Sequence, residues 1–334
     1  MKKIQLIFTG GTIMSLQKQE GLNVDGKTKY MLLEKALCPE ENFEIASPFC
    51  KLSENFTLDD VFCLYQQVLS CQKKDVKGII ILHGTDSLAC TAPYLALMLQ
   101  KCKKKIVLVS SNFPLDNPAA NGVENFKAAL KIIEDDRFPP AVYVAYKNPC
   151  DNFLSVHYAS RLPEPLPLSD CFYAQQNRLA AKIEGDKISF ISPLPTLTRH
   201  KFKLEGTFKK RCLQISSHTG LDYQIFSACN FDYALQTLYH SGTANALAEN
   251  DSHSALWFAN ECKKMGKELF FCNIQRAENY YATTNLLAKK QATMLYNILP
   301  NVALAKVNIA QNFIATKKER DRFLSSNIAG EILD

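Results

Sequence analysis

No apolar run in this chain approaches the ~20 residues needed to cross a bilayer as a helix, so a membrane-spanning protein is not expected. The opening MKKIQLIF has two lysines but only about five apolar residues before glycine, short of the ~7–15 of a secretory signal. Twelve cysteines are present, yet no two form a CxxC pair, which argues against a zinc or dithiol motif. Several sit inside apolar runs such as VFCLY and LFFCNI, where a thiol behaves as a small hydrophobe. Together these features predict a reduced, cytoplasmic protein. The six histidines lack metal-ligand spacing, so no bound metal is expected. GxGxxG and GxxxxGK[ST] are both missing, so neither a dinucleotide fingerprint nor a P-loop is spelled out. Internal repeats and low-complexity tracts are absent as well.

What remains is an ordinary globular composition, 47% hydrophobic and 22% charged over 334 residues. That length suits one large domain or two with separate cores. The net charge of +6 is mild, and KCKKK at 101–105 and FKKR at 208–211 read as solvated helix ends or loops. Neither a nucleic-acid partner nor a membrane is expected.

Short β-branched runs alternate with longer amphipathic stretches. IQLIF, VKGIIILHG, KKKIVLVSSN and PAVYVAY read as buried parallel strands. TLDDVFCLYQQVLSCQKK and NGVENFKAALKIIEDD between them read as helices, the first with Thr57 and Asp60 placed as an N-cap pair. The alternation predicts an α/β fold, a large doubly wound and mostly parallel sheet followed by a smaller α/β domain. Proline-marked sequence after about residue 160 signals a change of texture. Residues 1–190 are assigned to the first domain, 191–211 to a linker and 212–334 to the second. There RCLQISSHTG, SALWFANECKKMG and KELFFCNI resume the alternation, and LLAKKQATMLYNILP reads as a final helix.

Two strand ends carry the chemistry. The first strand delivers Thr9-Gly10-Gly11-Thr12, where glycine permits backbone paths closed to other residues and lets a ligand approach main-chain N–H groups. A hydroxyl there can attack a carbonyl with glycine N–H groups near the developing oxyanion. A structural turn or a phosphate cradle has the same appearance. The second site is His83-Gly84-Thr85-Asp86-Ser87, at the carboxyl end of a buried strand, where open α/β sheets bind ligands. Asp86 or Ser87 there also suits a helix cap, and Pro93 implies a helix that starts near Thr91 or is kinked.

TGGTI, HGTDS some seventy residues on, and VLVSSNFPLDNPAANGVENFKAAL after the next strand resemble the bacterial L-asparaginase/glutaminase family. Weaker similarity runs through GLDY (220–223), HSGTANA (240–246) and TTNLLAKKQATMLYNIL. The resemblance implies a homodimer or homotetramer with its active site at a subunit interface, and no cofactor. It puts Thr12 in the place of the attacking hydroxyl, beside Gly11. Thr85 matches the second catalytic threonine, and Asp86 the acid that also grips the substrate's amino group. Ser53 lines up with the serine that binds the α-carboxylate, and Glu54 with a position usually held by glutamine or a small polar residue. Asn245 resembles an asparagine supplied by the neighbouring subunit, and Glu278 matches an interface glutamate.

The chain departs from the family pattern twice. The family's lysine beside the second threonine has no counterpart in NPCDNFLSVHYASRLPEP, where His157, Tyr158 and Arg161 are the available substitutes. In the loop after the first strand Leu22 stands where a Gly-Tyr pair is common, which leaves Tyr30 as the substitute tyrosine. A threonine hydroxyl is nearly inert at neutral pH without a base or relay. The expected function is therefore hydrolysis of asparagine or a related small amide to the acid and ammonia. The alternative is a silent or altered-specificity relative that binds an amino acid or amide.

Overall fold

The computed structural model describes all residues except 1, 19–20, 25–27, 73–74, 101, 194–195, 199, 291 and 334; for 16–18, 21–24 and 29 it describes the backbone alone. The chain divides into two compact units, Met1–Leu197 and Thr198–Asp334.

The first unit is built on an eight-stranded sheet. In chain order its strands are β1 (Lys3–Phe8), β4 (Phe43–Ala46), β5 (Val76–Leu82), β6 (Ile106–Val109), β7 (Val142–Tyr146), β8 (Leu154–Tyr158), β9 (Ala181–Glu184) and β10 (Lys187–Phe190). β2 (Ser15–Lys18) and β3 (Gly21–Val24) form a separate antiparallel hairpin after β1. The order across the sheet is β10-β9-β8-β7-β6-β5-β1-β4. β4, β1, β5, β6 and β7 pair in parallel in that order, and β8 to β10 are added antiparallel beside β7. The apolar runs IIIL of β5 and IVLV of β6 are wholly buried because helices cover both faces. Helices α1 (Thr28–Ala36) and α4 (Gly122–Glu134) pack together, as do α2 (Leu58–Ser70) and α3 (Leu88–Met98). The core on the α1/α4 side runs from Leu6 and Phe8 through Leu82 and Val109 to Phe126 and Ile132.

The chain reverses its direction of travel at β1, which lies between β4 and β5. The carboxyl ends of β1 and β5 therefore flank a topological switch point, the usual ligand crevice of open α/β sheets. Both threonine motifs sit there.

The second unit has a four-stranded parallel sheet in sequential order: β11 (Cys212–Ser216), β12 (Tyr233–Thr237), β13 (Glu268–Ile274) and β14 (Thr293–Tyr296). Helices α5 (Ala255–Lys264), α6 (Ala282–Ala288), α7 (Pro300–Phe313) and α8 (Lys317–Ser325) complete it. The expected single helix across LLAKKQATMLYNILP is corrected here. Its start closes α6, its TMLY forms β14, and Pro300 opens α7. Proline at a first helical position is favourable, and Thr293 and Tyr296 are strand-favouring residues that the helical reading overlooked. Pro93 lies inside α3, which begins at Leu88 rather than near Thr91.

Candidate active site

Gly10 and Gly11 make the first turn possible. Their φ values are +115° and +77°, the left-handed region that side chains with a Cβ resist. A Cβ on Gly10 would fall 1.9 Å from the Lys51 carbonyl oxygen. Gly11 N–H donates to that same oxygen at 3.0 Å, and Lys51 N–H donates to the Thr9 carbonyl at 3.0 Å. The β1 turn is thus stitched to the segment that carries Ser53.

Thr9 and Thr12 are chemically distinct. The buried Thr9 hydroxyl donates to the Leu82 carbonyl at 2.7 Å and is fully occupied by structure. Thr12 opens a short 3-10 turn, is half-buried, and makes no side-chain hydrogen bond among the described residues. The free hydroxyl of the motif is therefore Thr12, the one expected to attack.

The second turn meets the first directly. A Cβ on Gly11 would lie 2.2 Å from the Gly84 Cα, and one on Gly84 would lie 2.3 Å from the Ser53 hydroxyl oxygen. Three backbone segments, 10–12, 53–54 and 84–86, share one small space. Buried Ser53 donates to Asp86 Oδ2 at 3.5 Å, a weak bond in this geometry. Ser87, expected as a possible helix cap, makes no side-chain cap at α3. Its hydroxyl donates to the Ser53 carbonyl at 2.7 Å and ties the two turns together instead. Glu54 and Asp86 are exposed, two acids on adjoining turns.

The segment bearing Ser53 is anchored from behind. Thr57 and Asp60 form the expected capping box of α2, with Thr57 N–H donating to Asp60 Oδ2 at 2.8 Å. Lys51 Nζ adds an ion pair to Asp60 at 2.7 Å. Burial alone would raise the Asp60 pKa, but hydrogen bonds from Lys51 and Thr57 outweigh it and hold the acid below its ordinary value.

His83 went unassigned in the sequence, yet it underlies the second turn. Its ring is fully buried, with Nδ1 2.8 Å from the Gly84 carbonyl oxygen, which can only accept, so Nδ1 carries the proton. Nε2 has no partner among the described residues. The Phe56 ring meets the imidazole edge-on at 4.9 Å, and Ser110 donates to the His83 carbonyl at 2.7 Å. Desolvation lowers its pKa to about 4, so it is neutral at physiological pH. A histidine directly before a Gly-Thr turn was the available signal.

The proposed lysine substitutes separate by geometry. His157 is buried on β8 with neither ring nitrogen hydrogen-bonded, and desolvation alone brings its pKa to about 4. The Tyr158 hydroxyl donates to the Ser192 carbonyl at 3.1 Å. Neither therefore bonds to Thr85, whose own hydroxyl has no hydrogen bond among the described residues. Buried Arg161 closes a 3-10 turn packed against α3. Tyr30 sits on α1 with 57% of its surface exposed, on a helix rather than on a loop over the site. Leu22 lies in β3, where the description covers backbone only. Lys147, one residue before the lysine-free segment, approaches Glu124 at 3.9 Å.

Asn245 and Glu278 belong to the second unit, and both are exposed. The Asn245 carbonyl accepts from Ala255 N–H at 2.7 Å, and its side-chain oxygen accepts from Leu247 N–H at 3.2 Å. Among the described residues no group of three or more His, Cys, Asp or Glu side chains is placed to hold a metal ion. No helix of the described chain is long and apolar enough to cross a membrane.

A doubly wound α/β unit with two threonine turns packed at its switch point, followed by a smaller parallel-sheet unit, defines an asparaginase-like class of protein. The family model for the asparaginase N-terminal domain matches residues 3–193. The chain belongs to the asparaginase family. Its fold is like that of the thermostable L-asparaginase from Thermococcus kodakarensis, with TM-score 0.78 and 19% identity over 99% of both chains. L-asparaginase I from Vibrio cholerae gives TM-score 0.78 and 18% identity, covering 100% of this chain and 99% of that one. In sequence it is 24% identical over 357 residues to a glutamyl-tRNA(Gln) amidotransferase subunit of Sulfolobus acidocaldarius, covering 99% of this chain and 75% of the relative. The same amidotransferase subunit of Saccharolobus islandicus is 25% identical over 351 residues, covering 99% and 76%.

Proposed function

We propose that this protein is an amidohydrolase that releases ammonia from L-asparagine or a related small amide, with the Thr12 hydroxyl as nucleophile. The observation that carries the reading is the close approach of the Gly11 and Gly84 backbones, with Ser53 beside Gly84. That approach gathers two unbonded threonine hydroxyls, one buried serine and the acids Asp86 and Glu54 around one crevice. Thr12 Oγ1 attacks the amide carbon, and backbone N–H groups around the turns other than that of Gly11, which is held by the Lys51 carbonyl, meet the oxyanion. Nitrogen leaves as ammonia, water then cleaves the acyl-threonine ester, and the acid is released. Asp86 and Glu54 suit the substrate's ammonium, and Ser53 its carboxylate. Asn245 and Glu278 complete a neighbouring subunit's site in a cytoplasmic homo-oligomer. No metal or organic cofactor takes part.

A second reading is favoured by one specific observation, that Thr85 is bonded to neither His157 nor Tyr158. Loss of a general base commonly costs ~10²–10⁴-fold in rate. On this reading the chain binds an amino acid or amide, or cleaves a different amide. The similarity to amidotransferase subunits adds a further version, in which ammonia is passed to a partner protein. Aspartate and ammonia release from asparagine separates the first reading from the others. A thermal-shift panel of amino acids and amides then separates silent binding from altered specificity.

A further inference from the structure

The surplus positive charge of the chain is concentrated on one part of the second unit. Residues 201–211 and 316–322 hold nine basic side chains against three acids, a surplus equal to the net charge of +6 of the whole protein. The first stretch leads into β11 and the second opens α8. Both are gathered at the end of α7. Glu205 N–H donates to the Phe313 carbonyl at 3.0 Å, and the Lys209 and Lys210 N–H groups both donate to Asn312 Oδ1 at 2.8 Å. The FKKR loop, read in the sequence as merely solvated, is thus fastened to a helix end.

Between the two stretches lies a cavity of about 430 Å³. Its floor is apolar, made by Phe202, Phe313 and Ile314, all buried. Lys203 and Lys210 stand on its wall, together with Thr316, which caps α8 by accepting from Glu319 N–H at 3.3 Å. The acids nearby are already engaged. Glu205 pairs with Lys203 at 2.6 Å, Glu319 with His200 at 3.0 Å, Asp321 with Lys317 at 2.8 Å, and Glu268 with Arg320 at 3.2 Å. Asp232 accepts from Arg211 N–H at 2.6 Å. Lys201, Lys209, Lys210, Arg211 and Lys318 are exposed, and none of their side chains has an acidic partner among the described residues.

We propose that this groove docks an acidic segment of a partner protein, with an apolar side chain seated on the phenylalanine floor between flanking carboxylates. Unpaired cations around an apolar floor call for a partner that supplies both complements, and an apolar residue among carboxylates does so. Nucleic acid fits less well, because Phe202 and Phe313 are buried and offer no face on which a base could stack. The groove lies by the amino ends of the strands, where Lys210 and Arg211 lead into β11 and Glu268 opens β13. Asn245 follows the carboxyl end of β12, at the opposite end of the same parallel sheet. The docking surface is therefore separate from the residues proposed to complete a neighbour's site.

Fluorescence anisotropy of the full chain with a labelled polyglutamate peptide that carries one central leucine tests the assignment. Saturable binding is expected, weakened by added salt and weakened at least tenfold by Lys209→Glu combined with Lys210→Glu. Both side chains are exposed and only their backbone N–H groups bond to Asn312, so this variant should melt as the wild type does. Lys2→Glu combined with Lys3→Glu makes the same change of charge at exposed positions of the first unit, and should bind like the wild type. Exchange of the peptide's leucine for serine should weaken binding at least fivefold. Absence of saturable binding overturns the proposal, as does an equal loss in the two double variants. A serine peptide that binds as tightly as the leucine one overturns the apolar seat. Tighter binding of duplex RNA than of the peptide overturns the choice of a protein partner.

Discussion

Gly11 and Gly84 touch backbone to backbone, and a Cβ on the first would stand 2.2 Å from the Cα of the second. The contact joins the ends of β1 and β5, so it fixes how the Thr12 and Thr85 turns face each other. Gly11→Ala meets both that contact and a φ of +77°. Left-handed strain costs ~1–3 kcal/mol for residues other than glycine, and overpacking adds a similar amount. The variant is expected to be destabilised by at least ~2 kcal/mol in urea melts and to lose hydrolysis. Wild-type stability and turnover would contradict the contact.

Acid stability follows from two buried histidines. His83 and His157 have their pKa lowered by desolvation to about 4, below the unfolded value of ~6.5. Between those values the unfolded chain binds more protons than the folded one, so stability falls as pH falls through that window. Each group accounts for roughly 3 kcal/mol by the low end of the range. Urea midpoints at pH 7, 5.5 and 4.5 should decline steadily, and His157→Leu should flatten the decline. An unchanged slope in that variant would remove His157 from the account. The same value argues against a histidine relay, so activity should show no step near pH 6.5 from His157.

The second unit closes on a buried ion pair. Lys306 Nζ lies 2.6 Å from Glu331 Oε1, both side chains fully buried, and Glu331 also accepts from the N–H groups of Ile328 and Ala329. Removing one partner of such a pair leaves an uncompensated charge and typically costs ~3–5 kcal/mol. Glu331→Ala is expected to lose about that much in chemical denaturation. A loss under 1 kcal/mol would mean that Lys306 finds another partner.

Strands β1, β5, β6 and β7 were legible because they are short, apolar and buried, whereas β4, β8, β9 and β10 carried no such run and were not read. α2 was legible because Thr57 and Asp60 sit at capping-box spacing. β14 was not, since LLAKKQATMLYNILP has helical composition and its strand is set by pairing with β13. At the candidate site, Thr12, Thr85 and Asp86 were singled out by their turn motifs and Ser53 by the family resemblance, and the structure brings their segments together. The bond from Ser87 to Ser53, residues 34 positions apart, was not, because helix capping explained Ser87 equally well. The sequence offered His157 and Tyr158 as substitutes for the lysine by type. Their strand register and partners decide against both.

Asn245 and Glu278 are proposed to complete a neighbour's site, so self-association is expected. Sedimentation at micromolar concentration should show a dimer or larger species. A fully active monomer would refute the shared site.

The most direct test of the threonine mechanism is chromatographic release of aspartate and ammonia from asparagine by the wild-type chain, Thr12→Ala and Thr85→Val. Thr12 is half-buried and neither hydroxyl bonds to a described residue, so both variants should fold with near-native melting temperature. The account predicts equimolar products from the wild type and a loss of at least ~10²-fold in each variant. Turnover near wild-type in Thr12→Ala would contradict it, because no attacking hydroxyl would then be assigned.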